Sequence, residues 1–327
     1  MRFGVIGTNW ITDRFIDGTS AIENFQLHAV YSRTQETADL FAQKYQLEAT
    51  YTDLEAFAAS EAFDAVYIAS PTALHSEHAI TCMKGGKHVI VEKPFASNQH
   101  EAEIMIKVAQ DQQVTLMEAM KTTHLPHFQL IKDNLAKIGP IRRFVANFCQ
   151  YSSRYDKYKE GTILNAFKPE LSNGSLMDIG VYCLYPMIAL FGAPQALKAT
   201  AYMLESGVDG QGTVLADYGE FHGVCMFSKI SDSALPSEIQ GEKGSIVIGK
   251  FSDMLDVKIV YRDGTEEILE AEQASNSMYY EAKSFVTSIE NHQLENNVNT
   301  WKVTLATLCA LDQARKEIGL TFPADNR

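Results

Sequence analysis

A chain of 327 residues, 46% apolar and 21% charged, has the composition of a folded protein with more than one domain, not of a disordered segment. Its 28 Lys and Arg against 41 Asp and Glu leave a net charge of −13, which argues against general binding to nucleic acid or an anionic membrane. Five cysteines, at 82, 149, 183, 225 and 309, include no C-x-x-C pair, so neither a disulfide framework nor a zinc site is indicated.

The first strand is expected at Arg2–Ile6, so close to Met1 that no room remains for a signal peptide. The longest apolar stretch, near Val181 to Ala193, contains Pro186 and is too short to span a bilayer. A reduced, cytoplasmic protein without a membrane anchor is the simplest expectation. Gly7 ends the first strand, and a helix-like pattern follows through Phe15 and Ile16. Strand, tight turn and helix in this order make a dinucleotide-binding unit, whose helix-start N–H groups face a pyrophosphate. Gly7, Thr8, Asn9, Trp10 and Ile11 are therefore candidate cofactor-binding residues. The fingerprint G-x-G-x-x-G/A is partly met, since Asn9 replaces the second glycine and Thr12 the small third residue. Asn tolerates positive φ, which would let the turn survive.

The second strand, Gln26–Tyr31, ends in Ser32 and Arg33 with no acidic residue for a ribose 2′-hydroxyl. A hydroxyl followed by a guanidinium suits a 2′-phosphate, which makes NADP the favoured cofactor and NAD the alternative. A capping Ser or Thr beside a solvated Arg is the plainer reading of the same residues. Thr34–Tyr45 is predicted as a helix, Ala65–Ala69 as a strand ending in Ser70 and Pro71, and Leu74–Met83 as a helix with His75 at its start. Ser70, Pro71 and His75 join the candidate cofactor set; for His75 simple helix capping is the alternative.

His88–Val91 form a β-type run that delivers Glu92 and Lys93 into Pro94. Proline cannot donate to a sheet ladder, so the strand stops there and holds Lys93 at its carboxyl end, where open α/β sheets place ligands. A salt-bridged strand end is the bland alternative. Glu101–Ala109 reads as a helix and Val114–Met117 as a strand. Repeated βα units imply a parallel sheet covered on both faces.

The rhythm changes near Lys121, which sets a dinucleotide-binding domain at 1–121 and an α+β domain with a large, mainly antiparallel sheet at 122–327. A helix is expected from Pro126 to Leu135, a strand over Ile141–Tyr151, a hairpin at Asp263-Gly264, and a last helix over about Val303–Ile318. In the segment from Asn173, Gly174 and Ser175 make a turn, and Asp178 and Tyr182 are four apart on an apolar helix. They would address one pocket together, or Tyr182 would pack in the core and Asp178 cap the helix. A cation such as Lys93 near Tyr182 would stabilise the phenolate, as a general acid/base requires. His124 and His127 lack a third ligand of suitable type nearby, so metal binding is not expected.

The Gly7 turn, IASPTALH ending at His75, GKHVIVEKP, LMEAM at Leu116–Met120 and LMDIGVY together resemble the glucose–fructose oxidoreductase / inositol dehydrogenase family. The match runs in order from Phe3 to about Gly192. Tyr182 stands where most of that family has histidine, which is similar to the branch of dimeric dihydrodiol dehydrogenases and NADP-dependent D-xylose dehydrogenases. The resemblance implies that Lys93 contacts the reacting oxygen, Tyr182 is the acid/base, Asp178 orients substrate or tyrosine, and Glu92 positions the cofactor. It also implies a cis peptide before Pro94. A second family aspartate three residues beyond the histidine is here Tyr185.

The expected function is an NADP-favouring oxidoreductase moving hydride between nicotinamide and a sugar, polyol or vicinal diol. A homodimer or higher homo-oligomer is expected through the C-terminal sheet, whose open face needs covering. The alternatives are a non-catalytic dinucleotide-sensing regulator of the same fold, or a biliverdin-reductase-like activity on a large planar substrate.

Overall fold

A computed structural model describes residues 1–326. The chain forms two compact units, Met1–Lys121 with Ala274–Thr304, and Thr122–Gln273 with the chain from Leu305 onward.

In the first unit, strands β1 (Arg2–Ile6), β2 (Gln26–Tyr31), β3 (Ala49–Tyr51), β4 (Ala65–Ile68), β5 (His88–Glu92) and β6 (Leu116–Ala119) alternate with helices α1 (Trp10–Thr19), α2 (Gln35–Tyr45), α3 (Leu54–Ala59), α4 (His75–Lys84) and α5 (Gln99–Gln112). The sheet is parallel throughout, in the order β3-β2-β1-β4-β5-β6. Such a sheet is buried on both faces, which is why β4 and β5 read as nearly continuous apolar runs. Phe15 of α1 stacks on Tyr67 of β4, ring centroids 3.8 Å apart and planes 3° from parallel. The last strand starts two residues later than its apolar pattern suggests. Gln113 adopts left-handed backbone and Val114 N–H returns to the Ala109 carbonyl, so both still close α5.

An unbroken second domain from 122 to 327 needs correction. The helix Met278–Glu290 belongs to the first unit, where Met278, Ala282, Phe285, Val286 and Ile289 share one core with Phe3, Phe15 and Tyr67. The segment after it shields the edge of β6. Leu116 bridges Glu295 in parallel, Trp301 Nε1 donates to the Leu116 carbonyl, and Asn299 Nδ2 donates to the carbonyls of Glu118 and Met120. A sheet edge covered in this way offers no template for foreign strands.

The second unit carries α6 (Pro126–Asn134), β7 (Ile141–Cys149), α7 (Tyr155–Lys159), α8 (Val181–Phe191) and strands β8 (Ala196–Met203), β9 (Asp209–Asp217), β10 (His222–Ser228), β11 (Ser237–Gly241), β12 (Gly244–Lys250), β13 (Leu255–Tyr261) and β14 (Glu266–Ile268). Its sheet has the order β14-β13-β12-β11-β7-β10-β9-β8; β7 and β10 pair in parallel and the other neighbours antiparallel. The expected hairpin is present between β13 and β14, with Gly264 at φ +86°. The stretch Pro169–Phe191 is long and apolar enough to cross a membrane by composition, yet 72% of its apolar window is buried within the fold. Its helical part, Leu176–Phe191, packs largely into the core of the second unit. A Cβ at Gly180 would meet Phe227 at 3.1 Å, so glycine lets this segment lie close against β10.

Candidate active site

The turn after β1 leaves no room for a side chain at its glycine. Gly7 takes φ +102°, and a Cβ there would stand 2.7 Å from the Ala69 carbonyl oxygen. Asn9 behaves differently from the positive-φ role expected of it. Its φ is −94°, and it caps α1 instead: Oδ1 accepts from Ile11 N–H at 2.9 Å while Nδ2 donates to the Ala69 carbonyl at 2.9 Å. The side chain is thus drawn aside by two bonds that a second glycine could not make. Thr12 Oγ1 donates back to the Gly7 carbonyl at 3.0 Å and is buried, so a threonine fits where a small residue was expected. Thr8 and Ile11 are half-buried, and Trp10 is 57% exposed at the helix start. Ser32 lies half-buried and Arg33 exposed directly after β2. These residues fit a dinucleotide with a charged ribose substituent.

At the end of β5, Glu92 is 8% exposed, and the Tyr67 hydroxyl donates to its Oε1 at 2.6 Å. Lys93 N–H donates to Glu92 Oε2 at 3.2 Å. Burial raises the Glu92 pKa, opposed by the charge of Lys93 and the Tyr67 bond. The Lys93-Pro94 peptide is cis. Lys93 itself is half-buried, in contrast to the buried residues on either side of it.

His75 joins the two loops that flank this strand end. Nδ1 lies 3.0 Å from the Pro94 carbonyl oxygen and Nε2 lies 2.8 Å from that of Ser70. Burial holds its pKa down at about 4, so near neutrality the ring carries one N–H and donates to one of these carbonyls. The Ser70 hydroxyl is hydrogen-bonded to His78 Nδ1 at 2.9 Å, and Pro71 precedes a single 3-10 turn. His75 thus sits between the two loops and bonds one of their carbonyls, and it does not cap α4.

Two carboxyls of this unit escaped sequence reasoning. Glu118 accepts from Phe95 N–H at 3.1 Å and from the Thr304 hydroxyl at 2.8 Å, and burial pushes its pKa up to about 7. Glu281 is 1% exposed, with neither oxygen hydrogen-bonded, and burial beside Glu92 raises its pKa well above the usual range. Each is an acidic residue at a sheet- or core-facing position, a signal visible only once the facing elements are known.

The second unit places Asp178 and Tyr182 on adjoining but unlike turns. Leu176–Gly180 is a π-helical turn and α8 begins at Val181, where a regular helix was expected. Such turns accompany functional sites in many helices. Pro186 follows within α8 and has no N–H to offer the Tyr182 carbonyl four residues earlier. Asp209 anchors the start: its Oδ2 accepts from Leu176 N–H at 2.6 Å. Tyr182 is half-buried, edge-on to Phe148 with ring centroids 5.5 Å apart. Asp178 does not cap the helix. Its Oδ2 takes a bond from Lys229 Nζ at 2.6 Å, a partner that no motif announced. Tyr185 is fully buried in the core, so it does not stand in for the family's second aspartate.

His127 Nδ1 is hydrogen-bonded to Gln273 Oε1 at 3.0 Å, while His124 is desolvated with its pKa lowered to about 3. Among the described residues no group of three or more His, Cys, Asp or Glu is placed to hold a metal.

Residues 1–120 match the GFO/IDH/MocA oxidoreductase family with its NAD-binding Rossmann fold, and residues 128–247 match the C-terminal domain of that family. The scyllo-inositol 2-dehydrogenase (NADP(+)) IolU of Bacillus subtilis is 55% identical over 325 residues, 99% of each chain. The trans-1,2-dihydrobenzene-1,2-diol dehydrogenase of Mus musculus is 28% identical, covering 100% of this chain and 99% of its own. Among solved structures, KijD10, a 3-ketoreductase from Actinomadura kijaniata in complex with NADP and TDP-benzene, shares the fold with a TM-score of 0.84 at 23% identity, covering 97% of this chain and 98% of its own. A glycine turn opening the first unit, a glutamate–lysine–proline strand end and a matching second sheet are accounted for together: the chain belongs to the GFO/IDH/MocA family of oxidoreductases.

Proposed function

We propose that the chain is an NADP-dependent dehydrogenase or reductase acting on a secondary hydroxyl of a sugar, polyol or vicinal diol, with Lys93 and Tyr182 as its acid/base pair. The observation that carries this reading is Lys93 half-buried at the carboxyl end of β5, beside a buried Glu92 already engaged by Tyr67. The full-length similarity to IolU supports NADP and puts a cyclic polyol first in the substrate panel.

Gly7 to Ile11 would hold the diphosphate, and Ser32 and Arg33 a ribose 2′-phosphate. Nicotinamide, when bound, supplies the hydride chemistry at its C4. Lys93 donates a hydrogen bond to the reacting oxygen, and its charge favours the phenolate of Tyr182. Tyr182 takes the hydroxyl proton in oxidation and returns it in reduction. Asp178 orients the substrate from the preceding turn, and Glu92 fixes the backbone from which Lys93 projects. The open face of the second unit's sheet, with Tyr202 59% and Leu215 53% exposed, supports self-association there.

Nicotinamide absorbance, followed with NADP or NAD against inositols, aldoses and vicinal diols, tests this reading. Turnover with NADP that collapses in Tyr182→Phe is expected. No turnover across the panel, with tight NADPH binding retained, would replace it with a dinucleotide-sensing role. Light scattering at micromolar concentration is expected to give at least a dimer, and a monomer would remove the assembly proposal.

A further inference from the structure

A buried amine in the second unit has no part in the steps above. Lys229 follows β10, and its side chain is 3% exposed. Nζ donates to Asp178 Oδ2 at 2.6 Å and to the Ala166 carbonyl at 3.3 Å, and it lies 5.2 Å from the ring centroid of Phe167. An amine buried this far needs a partner: Asp178 makes the salt bridge, and the Lys229 charge also acts on the buried Asp209. The pair is asymmetric: the amine is enclosed, whereas the Asp178 side chain is 34% exposed.

Holding the π-helical turn does not by itself require this arrangement. Asp209 already engages the turn at Leu176 N–H, and Leu176, Met177 and Ile179 are buried as its apolar anchors. A buried ammonium behind a partly open carboxylate achieves something else. It fixes one oxygen of Asp178 and so orients the carboxylate, which is what a hydroxyl-accepting group needs.

We propose that Lys229 is a specificity-determining positioning residue, which holds Asp178 as the acceptor for a second hydroxyl of the substrate, distinct from the hydroxyl that reacts at Tyr182. The preferred substrate class is then a polyol whose oxidised carbon has a hydroxyl-bearing neighbour, and a simple secondary alcohol is turned over poorly. This inference rests on the acid/base reading of Tyr182.

The test compares parent, Lys229→Met, Asp178→Asn and the double variant on a cyclic polyol and on its deoxy analogue lacking the neighbouring hydroxyl. For the polyol, Lys229→Met is expected to lose roughly 10- to 100-fold in kcat/KM, the range for a hydrogen bond to a charged group, mainly through KM. The deoxy analogue should change by less than about threefold, because it never made the contact. NADPH affinity should be unchanged, and the double variant should be no worse than Asp178→Asn, since both changes remove one interaction. Additive losses, equal losses on the two substrates, or an unchanged Lys229→Met would overturn the proposal. Should circular dichroism show Lys229→Met unfolded, Asp178→Asn decides: it must abolish the discrimination between polyol and analogue. A parent that oxidises neither compound overturns the acid/base reading as well, whereas parent turnover with intact discrimination in every variant overturns this inference alone.

Discussion

The Tyr67 hydroxyl donates to Glu92 Oε1 at 2.6 Å across two neighbouring parallel strands, inside a core where Tyr67 is fully buried. The same ring stacks on Phe15, so one side chain ties the apolar core to the polar strand end. Tyr67→Phe keeps the stack and removes the donor. A buried carboxyl oxygen left unpaired costs about 1–3 kcal/mol, so a lower denaturation midpoint is expected, together with reduced turnover because Glu92 loses its fixed position. A midpoint and turnover equal to the parent's would show that the bond does not matter.

Gly7 is required for two separate reasons, its positive φ and its contact with Ala69. Gly7→Ala would strain the backbone and press a methyl group against the Ala69 carbonyl at 2.7 Å. Destabilisation of roughly 1–3 kcal/mol is expected from the conformation alone, with NADPH affinity reduced more than about tenfold. Chemical denaturation and a fluorescence titration with NADPH measure the two effects. Parent-like NADPH binding in a folded variant would remove Gly7 from the cofactor site.

Arg33 is exposed directly after β2, whose own end, Tyr31-Ser32-Arg33-Thr34, carries no Asp or Glu for a ribose hydroxyl. Arg33→Ala is expected to weaken NADPH about tenfold or more while NADH changes little, because guanidinium–phosphate bonds are charge-assisted. Isothermal titration of both cofactors gives the ratio. Equal losses for both, or tighter NADH than NADPH binding by the parent, would remove the basis for NADP selectivity.

Glu118 makes stability pH-dependent in a defined direction. Burial raises its pKa from the ordinary 4.5 to about 7 despite the bonds from Thr304 and Phe95. The folded state therefore binds this proton more tightly than the unfolded state. That contribution is complete below about 4.5 and is lost as pH rises through about 7. The displacement corresponds to about 3 kcal/mol. Glu118→Gln keeps an oxygen for Phe95 N–H, and the Thr304 hydroxyl can reverse to accept from the new amide. Denaturation at a series of pH values should show the variant gaining on the parent between pH 5 and 7, then a constant difference. A difference independent of pH would mean that Glu118 stays ionised.

What the sequence determined by itself is local. β-Runs, a glycine turn and proline stops marked the parallel sheet and put Lys93 at a strand end, because alternation, turn chemistry and a missing N–H act over a few residues. The D-x-G-x-Y spacing likewise placed Asp178 and Tyr182 about one turn apart. Even so, Asn9 caps α1 where a left-handed turn residue was expected, since the Ala69 carbonyl that draws it aside comes from another strand. Only the tertiary structure brought the helix Met278–Glu290 back to the first unit, its apolar stripe being equally able to cover either sheet when read alone. It alone paired Lys229 with Asp178, 51 residues away, and left Glu281 unpartnered beside Glu92. Burial and the partners of buried charges depend on which distant segments meet, and no periodicity along the chain encodes that.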